Sequence, residues 1–343
     1  MENAAWEYAE NALGKVSRTF ALNIRVLGKK LQRPVLLAYL YMRMADTIED
    51  EPSFEVEKKE KLLDEFAKIF SENLLNASGE PIKKFLEDLP ASWRDSDNPE
   101  YNLCANAELV CPLLLEFPPA VVDSVRNGVA EMCGGMAEFV RLQNSMQFFT
   151  LETEHDLDRY CYFVAGLVGN MLTDLFYSAS PFISAALYEK MRKLSVSFGL
   201  ALQLVNIIKD IQEDAQRKVC FVPMEFCRKF GINSAEELFS ENTPQTAKNA
   251  VVGLLIEKAK LHLNDAKNYI KLLPRVEYKS RLFCILPALM AVDNLRVIGN
   301  GTIIFEKDKR TKISRDTVKK IVRNATLFGW SNRWVERVFR FTR

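Results

Sequence analysis

Residues 202–214 read LQLVNIIKDIQED and close a strongly apolar run from Phe198 to Val205. On a helix, Asn206, Asp210 and Asp214 fall at i, i+4 and i+8, one stripe along one face. Gln203 and Lys209 lie close beside it. The apolar flank predicts a substantially buried helix. Buried carboxylates are expensive unless something compensates them, and metal coordination is one of the few compensations. A hard divalent cation with oxygen ligands is the natural candidate.

Toward the amino terminus, YLYMRMADTIED (39–50) has the same character. Leu36, Tyr39, Leu40, Arg43, Asp46 and Asp50 recur at three- and four-residue steps, as on one side of a helix. Asp46, Glu49 and Asp50 then project together. Their mutual repulsion costs an isolated helix a few tenths of a kcal/mol per pair, which a bound cation would offset. Either cluster alone also matches an ordinary solvated helix face. Two clusters, each beside an apolar segment, point instead to carboxylate walls holding Mg²⁺ ions that bridge a diphosphate. Such ions neutralise the departing group and promote ionisation of an allylic carbon.

The rest of the chain supports an all-α fold. Long stretches lack both glycine and proline, of which the 343 residues hold 14 and 13. Residues 55–75 form an amphipathic surface helix around Leu62, Leu63, Phe66 and Phe70. Helical stretches are predicted at 104–116, 119–145, 154–177, 185–215, 247–272 and 279–298, with loops at 90–100 and 240–246. The segment 299–316 has two glycines and many lysines and arginines, and reads as a mobile basic loop or flap. With no sharp composition break, one catalytic domain over 1–325 is expected, followed by a distinct segment at 326–343.

Composition excludes several classes. Net charge is +1, which disfavours a nucleic-acid binder held by bulk electrostatics. The 7 cysteines show no CxxC spacing, so buried thiols in a reducing compartment are expected. His155 and His262, the 2 histidines, sit in no readable motif and are expected to be structural or exposed. Met1 to Leu13 lacks the layout of a signal peptide. No uninterrupted apolar run reaches the roughly 18–20 residues of a spanning helix, since Phe283 to Val292 contains Pro287 and ends at Asp293.

Taken with SRTFAL (17–22), GGMAEF (134–139), YCYFVAGLVG (160–169) and FCILPALMAV (283–292), the two acidic stretches make the chain resemble the squalene/phytoene synthases. It is most similar to their squalene-forming branch. The resemblance spans 17 to about 315 and implies an isoprenoid-synthase-type helical bundle around a deep central cavity. It implies condensation of two farnesyl diphosphates to presqualene diphosphate, then reduction by NADPH to squalene. The implied metal is Mg²⁺, with Mn²⁺ as an alternative. Asp46, Asp50, Asp210 and Asp214 match the family's metal-binding acids, with Glu49, Glu213 and Asn206 in support. Arg18 and Arg43 match diphosphate-contacting positions, and Gln203 and Asn206 match polar positions of the second motif. Tyr160 matches a tyrosine placed to join the proton relay of cyclopropane closure, with a hydrogen-bonded core tyrosine as its plain reading. Phe20 and Phe283 match aromatic walls able to stabilise cations. Lys312 and Arg315 match the basic loop associated with the NADPH phosphates. No GxGxxG follows a strand, so a Rossmann site is not expected.

Departures concern the basic contacts. Arg217 and Lys218 precede FVP (221–223) at displaced positions, Lys209 stands where arginine is common, and Ser314 where a second cation is common. A phytoene- or dehydrosqualene-type synthase without reduction is the first alternative, and a non-catalytic helical assembly factor the second. At the carboxyl end, Leu327, Trp330, Trp334, Val338 and Phe341 form one helical stripe, with Arg333, Arg337, Arg340 and Arg343 opposite. This predicts an amphipathic helix over 326–343 lying on a membrane surface, or docked on the core. The expected protein is a cytoplasmic, peripherally membrane-associated monomer.

Overall fold

The computed structural model describes residues 2–70, 79–94, 96–144, 146–299, 301–305 and 311–341. These gather into two compact units, Met1–Arg141 with Met171–Pro181, and Leu142–Asn170 with Phe182–Arg343.

The first unit opens with α1 (Glu2–Val16), α2 (Arg18–Val26) and α3 (Lys29–Asp50). Ser17 caps α2 by accepting from the Phe20 amide at 3.2 Å. Next come α4 (Val56–Ile69), α5 (Glu80–Asp88), α6 (Pro99–Ala105), α7 (Ala107–Val110) and α8 (Pro119–Asn144). The helix expected over 104–116 is broken: Asn106 closes α6, and Cys111–Glu116, with Pro112 near its start, tightens into a 3₁₀ turn. The core gathers on Tyr41, Phe66, Phe70 and Phe85, with ring centroids 4.9–5.3 Å apart. Tyr41, fully buried, keeps its hydroxyl satisfied by donating to the Val110 carbonyl at 3.0 Å.

In the second unit, α9 (Glu154–Cys161) begins with a Thr153–Asp156 capping box. A single π-helical turn, Tyr162–Gly166, then leads into α10 (Leu167–Ala179). Helix α11 (Ala185–Gln216), capped by Ser184, is followed by α12 (Met224–Arg228), α13 (Ala235–Phe239), α14 (Gln245–Leu272) and α15 (Tyr278–Ile298). Helices α16 (Arg315–Phe328) and α17 (Asn332–Val338) end the described chain. A two-residue parallel ladder, β1 (Phe149–Thr150) with β2 (Val219–Cys220), pairs Phe149 with Val219.

Helix α11 packs along α14 and against the π-turn. The crossing is close enough that a Cβ on Gly199 would lie 2.2 Å from the Ala165 carbonyl oxygen. One on Gly169 would lie 1.9 Å from that of Ser195. An 18-residue window of α11 has a mean hydropathy of 1.4, enough by composition to cross a membrane, which the search for unbroken runs misses. In the fold it is the central helix of its unit. Fully buried Arg281 of α15 donates to the carbonyls of Ile270 and Leu273, both at 2.7 Å, and to Asn332 Oδ1 at 2.8 Å. It thereby ties the end of α14 to the start of α17.

The segment 326–343 differs from the single helix expected. Helix α16 runs past 325 to Phe328, Gly329 ends it, and Ser331 starts α17 by accepting from the Trp334 amide at 3.3 Å. The turn is fixed by Gly329, where a Cβ would meet the Ala325 carbonyl oxygen at 2.5 Å. All 7 cysteines are free and buried, as the spacing predicts. His155 is exposed, and half-buried His262 bonds Ser197 through Nδ1 at 2.6 Å.

Candidate active site

In the first unit the site is built on α3. Tyr39, Arg43 and Asp46 lie one turn apart, and Arg43 Nη2 donates to the Tyr39 hydroxyl at 3.0 Å. Its Nη1 lies 3.6 Å from Asp46 Oδ2. The Tyr39 ring stacks on Phe20 at 5.1 Å, so Phe20, 39% exposed, forms one end of a Phe–Tyr–Arg–Asp series. Tyr39 is a member that motif reading missed, although it stands at i−4 from Arg43.

Desolvation pushes the Asp46 carboxyl up to about 6, against the pull of Arg43 and with a push from Asp50. Its side chain still keeps 34% exposure, so an ion can reach it. Burial opposes charge on Arg43, yet Asp46 and Tyr39 hold its guanidinium above its ordinary value. Arg43 Nε is buried without a hydrogen-bond partner, a donor suited to an anionic oxygen. Glu49 is half-buried, and its carbonyl accepts from Lys59 at 2.5 Å. Asp50 ends the helix exposed. The next acid, Glu51, is spent on Ser53 and on the Tyr101 hydroxyl, which donates at 2.5 Å. Arg18 opens α2, and its side chain lies outside the described residues.

In the second unit the stripe expected on 206–214 is present on α11, with every acid matched by a cation. Lys209 Nζ donates to Asn206 Oδ1 at 2.9 Å and lies 3.2 Å from Asp210 Oδ2. Lys312 reaches Asp210 Oδ1 at 3.0 Å and Glu213 Oε1 at 3.1 Å. Arg217 pairs with Asp214, 7% exposed, at 2.6 Å. Burial would lower the Lys312 ammonium, but the two carboxylates hold it above its ordinary value. Arg315, at the start of α16, is exposed. The displaced Arg217 is thus internal to the motif. Gln203 is half-buried, and Gln212 donates to the Ile304 carbonyl, latching α11 to the turn Thr302–Phe305. Within the basic loop, 300 and 306–310 lie outside the described residues.

Tyr160 is buried and stacks on Phe221 at 4.3 Å with 20° between the rings. The α9 tyrosine is thereby set on the FVP segment that follows the second motif. Phe283 is buried on α15.

Among the described residues, no three His, Cys, Asp or Glu side chains converge to cage an ion by themselves. That suits Mg²⁺, which keeps several waters and takes one or two carboxylates plus phosphate oxygens. Each unit supplies aspartates one turn apart, an all-oxygen donor set, with a cation alongside. For NADPH, Lys312 and Arg315 supply two cations, one bonded to carboxylates and one in water. They do not by themselves build a dinucleotide cradle.

The family model described as Squalene/phytoene synthase matches residues 13–317. Squalene synthase 1 of Arabidopsis thaliana is 28% identical over 92% of this chain and 70% of its own length. Squalene synthase 1 of Panax ginseng is 30% identical over 88% of this chain, which spans 65% of that relative. The structure of TcSQS in complex with the ligand E5700 aligns with a TM-score of 0.79 at 24% identity, covering 98% of this chain and 91% of that one. That likeness identifies the all-α isoprenoid-synthase fold. With a family model spanning most of its length and both acidic motifs intact, the chain belongs to the squalene/phytoene synthase family of prenyltransferases.

Proposed function

We propose that the protein is a squalene synthase. It would condense two farnesyl diphosphates to presqualene diphosphate and reduce that intermediate to squalene with NADPH. The observation that carries this reading is the pairing of carboxylates and cations on α3 and α11: Asp46 with Arg43, and Asp210 with Lys209 and Lys312. A bound Mg²⁺ would supply charge neutralisation to the leaving diphosphate. Asp46 and Asp50 on α3 would hold one such ion, and Asp210 and Asp214 on α11 another. Arg43 would bind diphosphate oxygens through its buried Nε and its fork of Nη donors. Phe20 and Phe283 would offer ring faces to carbocations, and Tyr160 would take part in moving the proton lost on cyclopropane closure. Lys312 and Arg315 are the cations proposed for the NADPH phosphates.

The same reading makes 1–325 the catalytic region and gives the protein a peripheral place on a cytoplasmic membrane surface, because so apolar a product leaves into lipid. Incubation of the purified monomer with farnesyl diphosphate, Mg²⁺ and NADPH should yield squalene. Unreduced C30 hydrocarbon or presqualene diphosphate should accumulate when NADPH is withheld. An unreduced C30 or C40 product in the presence of NADPH would replace this reading with a dehydrosqualene- or phytoene-type synthase. Absence of any product would favour an assembly factor.

A further inference from the structure

The geometry points to the turn between α16 and α17, together with the α14–α15 corner beside it, as the surface that docks on an anionic bilayer. This rests on the membrane partnership proposed above and moves it to a different surface. The expected device was one face of a single helix. In the fold the inner face of α17 is taken up by Val335 and Phe339, both buried, and Glu336 is held by Lys267 and Lys271 at 2.9 and 2.7 Å. The apolar side chains that stay in water are instead at the turn: Leu327 is 57% exposed, Phe328 46% and Trp330 53%.

The α14–α15 corner lies next to them. The Tyr278 hydroxyl donates to the Ala325 carbonyl at 3.0 Å and to that of Thr326 at 2.5 Å, and Val276, two residues earlier, is 67% exposed. Two segments distant in sequence thus present large apolar groups side by side, an arrangement monomeric surfaces avoid unless it is used.

Charge selects the occupant. Arg275, Lys279, Arg323 and Arg333 flank the two segments in sequence, with Lys320 two turns before Leu327 on α16, and all five are exposed. Arg323 stands four residues before Leu327 on the same face, so it lies about 6 Å behind the tip at the helical rise. With Leu327, Phe328 and Trp330 in the outer acyl region, that depth sets Arg323 among headgroup phosphates, the layering of interfacial segments. A protein partner would call for a complementary acidic groove. An exposed apolar turn flanked by cations suits a deformable anionic surface better.

The test uses the full chain and vesicles of phosphatidylcholine with or without phosphatidylserine. The chain should sediment with the anionic vesicles, and L327S/F328S/W330S, checked for an unchanged melting temperature, should bind at least about tenfold more weakly. K320Q and R323Q should each lower affinity about fivefold at moderate salt. Acyl chains brominated near the interface should quench the fluorescence of W334F, in which Trp330 is the exposed indole, but not of W330F/W334F, whose remaining Trp6 and Trp93 are buried. If the wild type sediments with neither vesicle, the membrane partnership itself fails. If it sediments and the triple-serine variant does so equally, or W330F/W334F is quenched like W334F, only this assignment is overturned. Tip-dependent self-association without vesicle binding would assign the surface to a second copy of the chain and likewise overturn it.

Discussion

At the scale of single residues, Asp46 and Asp210 should be the hardest to replace. Each keeps a cation within 3.6 Å, so an asparagine removes the charge but little of the volume. Asp46→Asn and Asp210→Asn should each cut pyrophosphate release from farnesyl diphosphate about a hundredfold or more, with thermal stability nearly unchanged. Full activity in both would remove the metal assignment. Arg43→Lys tests the diphosphate contact separately. A lysine keeps the charge but loses the buried Nε donor, so KM for farnesyl diphosphate should rise about tenfold. Initial rates over a substrate series would measure it. The four aspartates and Arg43 were legible because a helix fixes the spacing of its own residues. The position of Lys312 on Asp210 and Glu213 was not. That contact depends on the chain returning after about a hundred residues, and local pattern carries no information about the return.

At the scale of elements, the π-turn Tyr162–Gly166 and the glycines of α10 and α11 set how the helix bearing Tyr160 meets the helix bearing Asp210. The π-turn falls inside the stretch read as one helix over 154–177, and its widened turn packs against α11. Gly169→Ala would put a methyl 1.9 Å from the Ser195 carbonyl oxygen, and Gly199→Ala one 2.2 Å from that of Ala165. Backbone cannot yield as a side-chain tip can, so each should cost about 3 kcal/mol or more. Gly253→Ala is the control: it lies inside α14 with nothing within 4 Å, and alanine there should gain about 1 kcal/mol. Urea unfolding of the three variants measures the contrast. Equal destabilisation in all three would refute the close-crossing account.

At the scale of the whole molecule, the two compact units were invisible in the sequence for a physical reason. The chain passes between them three times, at Arg141/Leu142 inside α8, at Asn170/Met171 inside α10 and at Pro181/Phe182 in the short turn before α11, so two of the three crossings lie where no loop composition exists to signal a boundary. The carboxyl-terminal end is held by a polar staple, Arg281 with Asn332 and Glu336 with two lysines of α14, that amphipathic periodicity could not announce. Bonds from Lys271 and Lys267 lower the Glu336 carboxyl from 4.5 to about 2. A depressed carboxylate contributes stability that is complete above its unfolded value and disappears as pH falls through its folded one. The gain should therefore be constant from pH 7 to about 5.5, shrink below 4.5 as the unfolded chain takes up its proton first, and vanish near 2. With 37% of the side chain in water, screening holds the gain to about 1 kcal/mol. Glu336→Gln should thus unfold at lower urea than wild type at pH 7, and the gap between the two midpoints should close progressively below pH 4.5. A gap that stays constant down to pH 3 would show that the glutamate acts by packing rather than by charge.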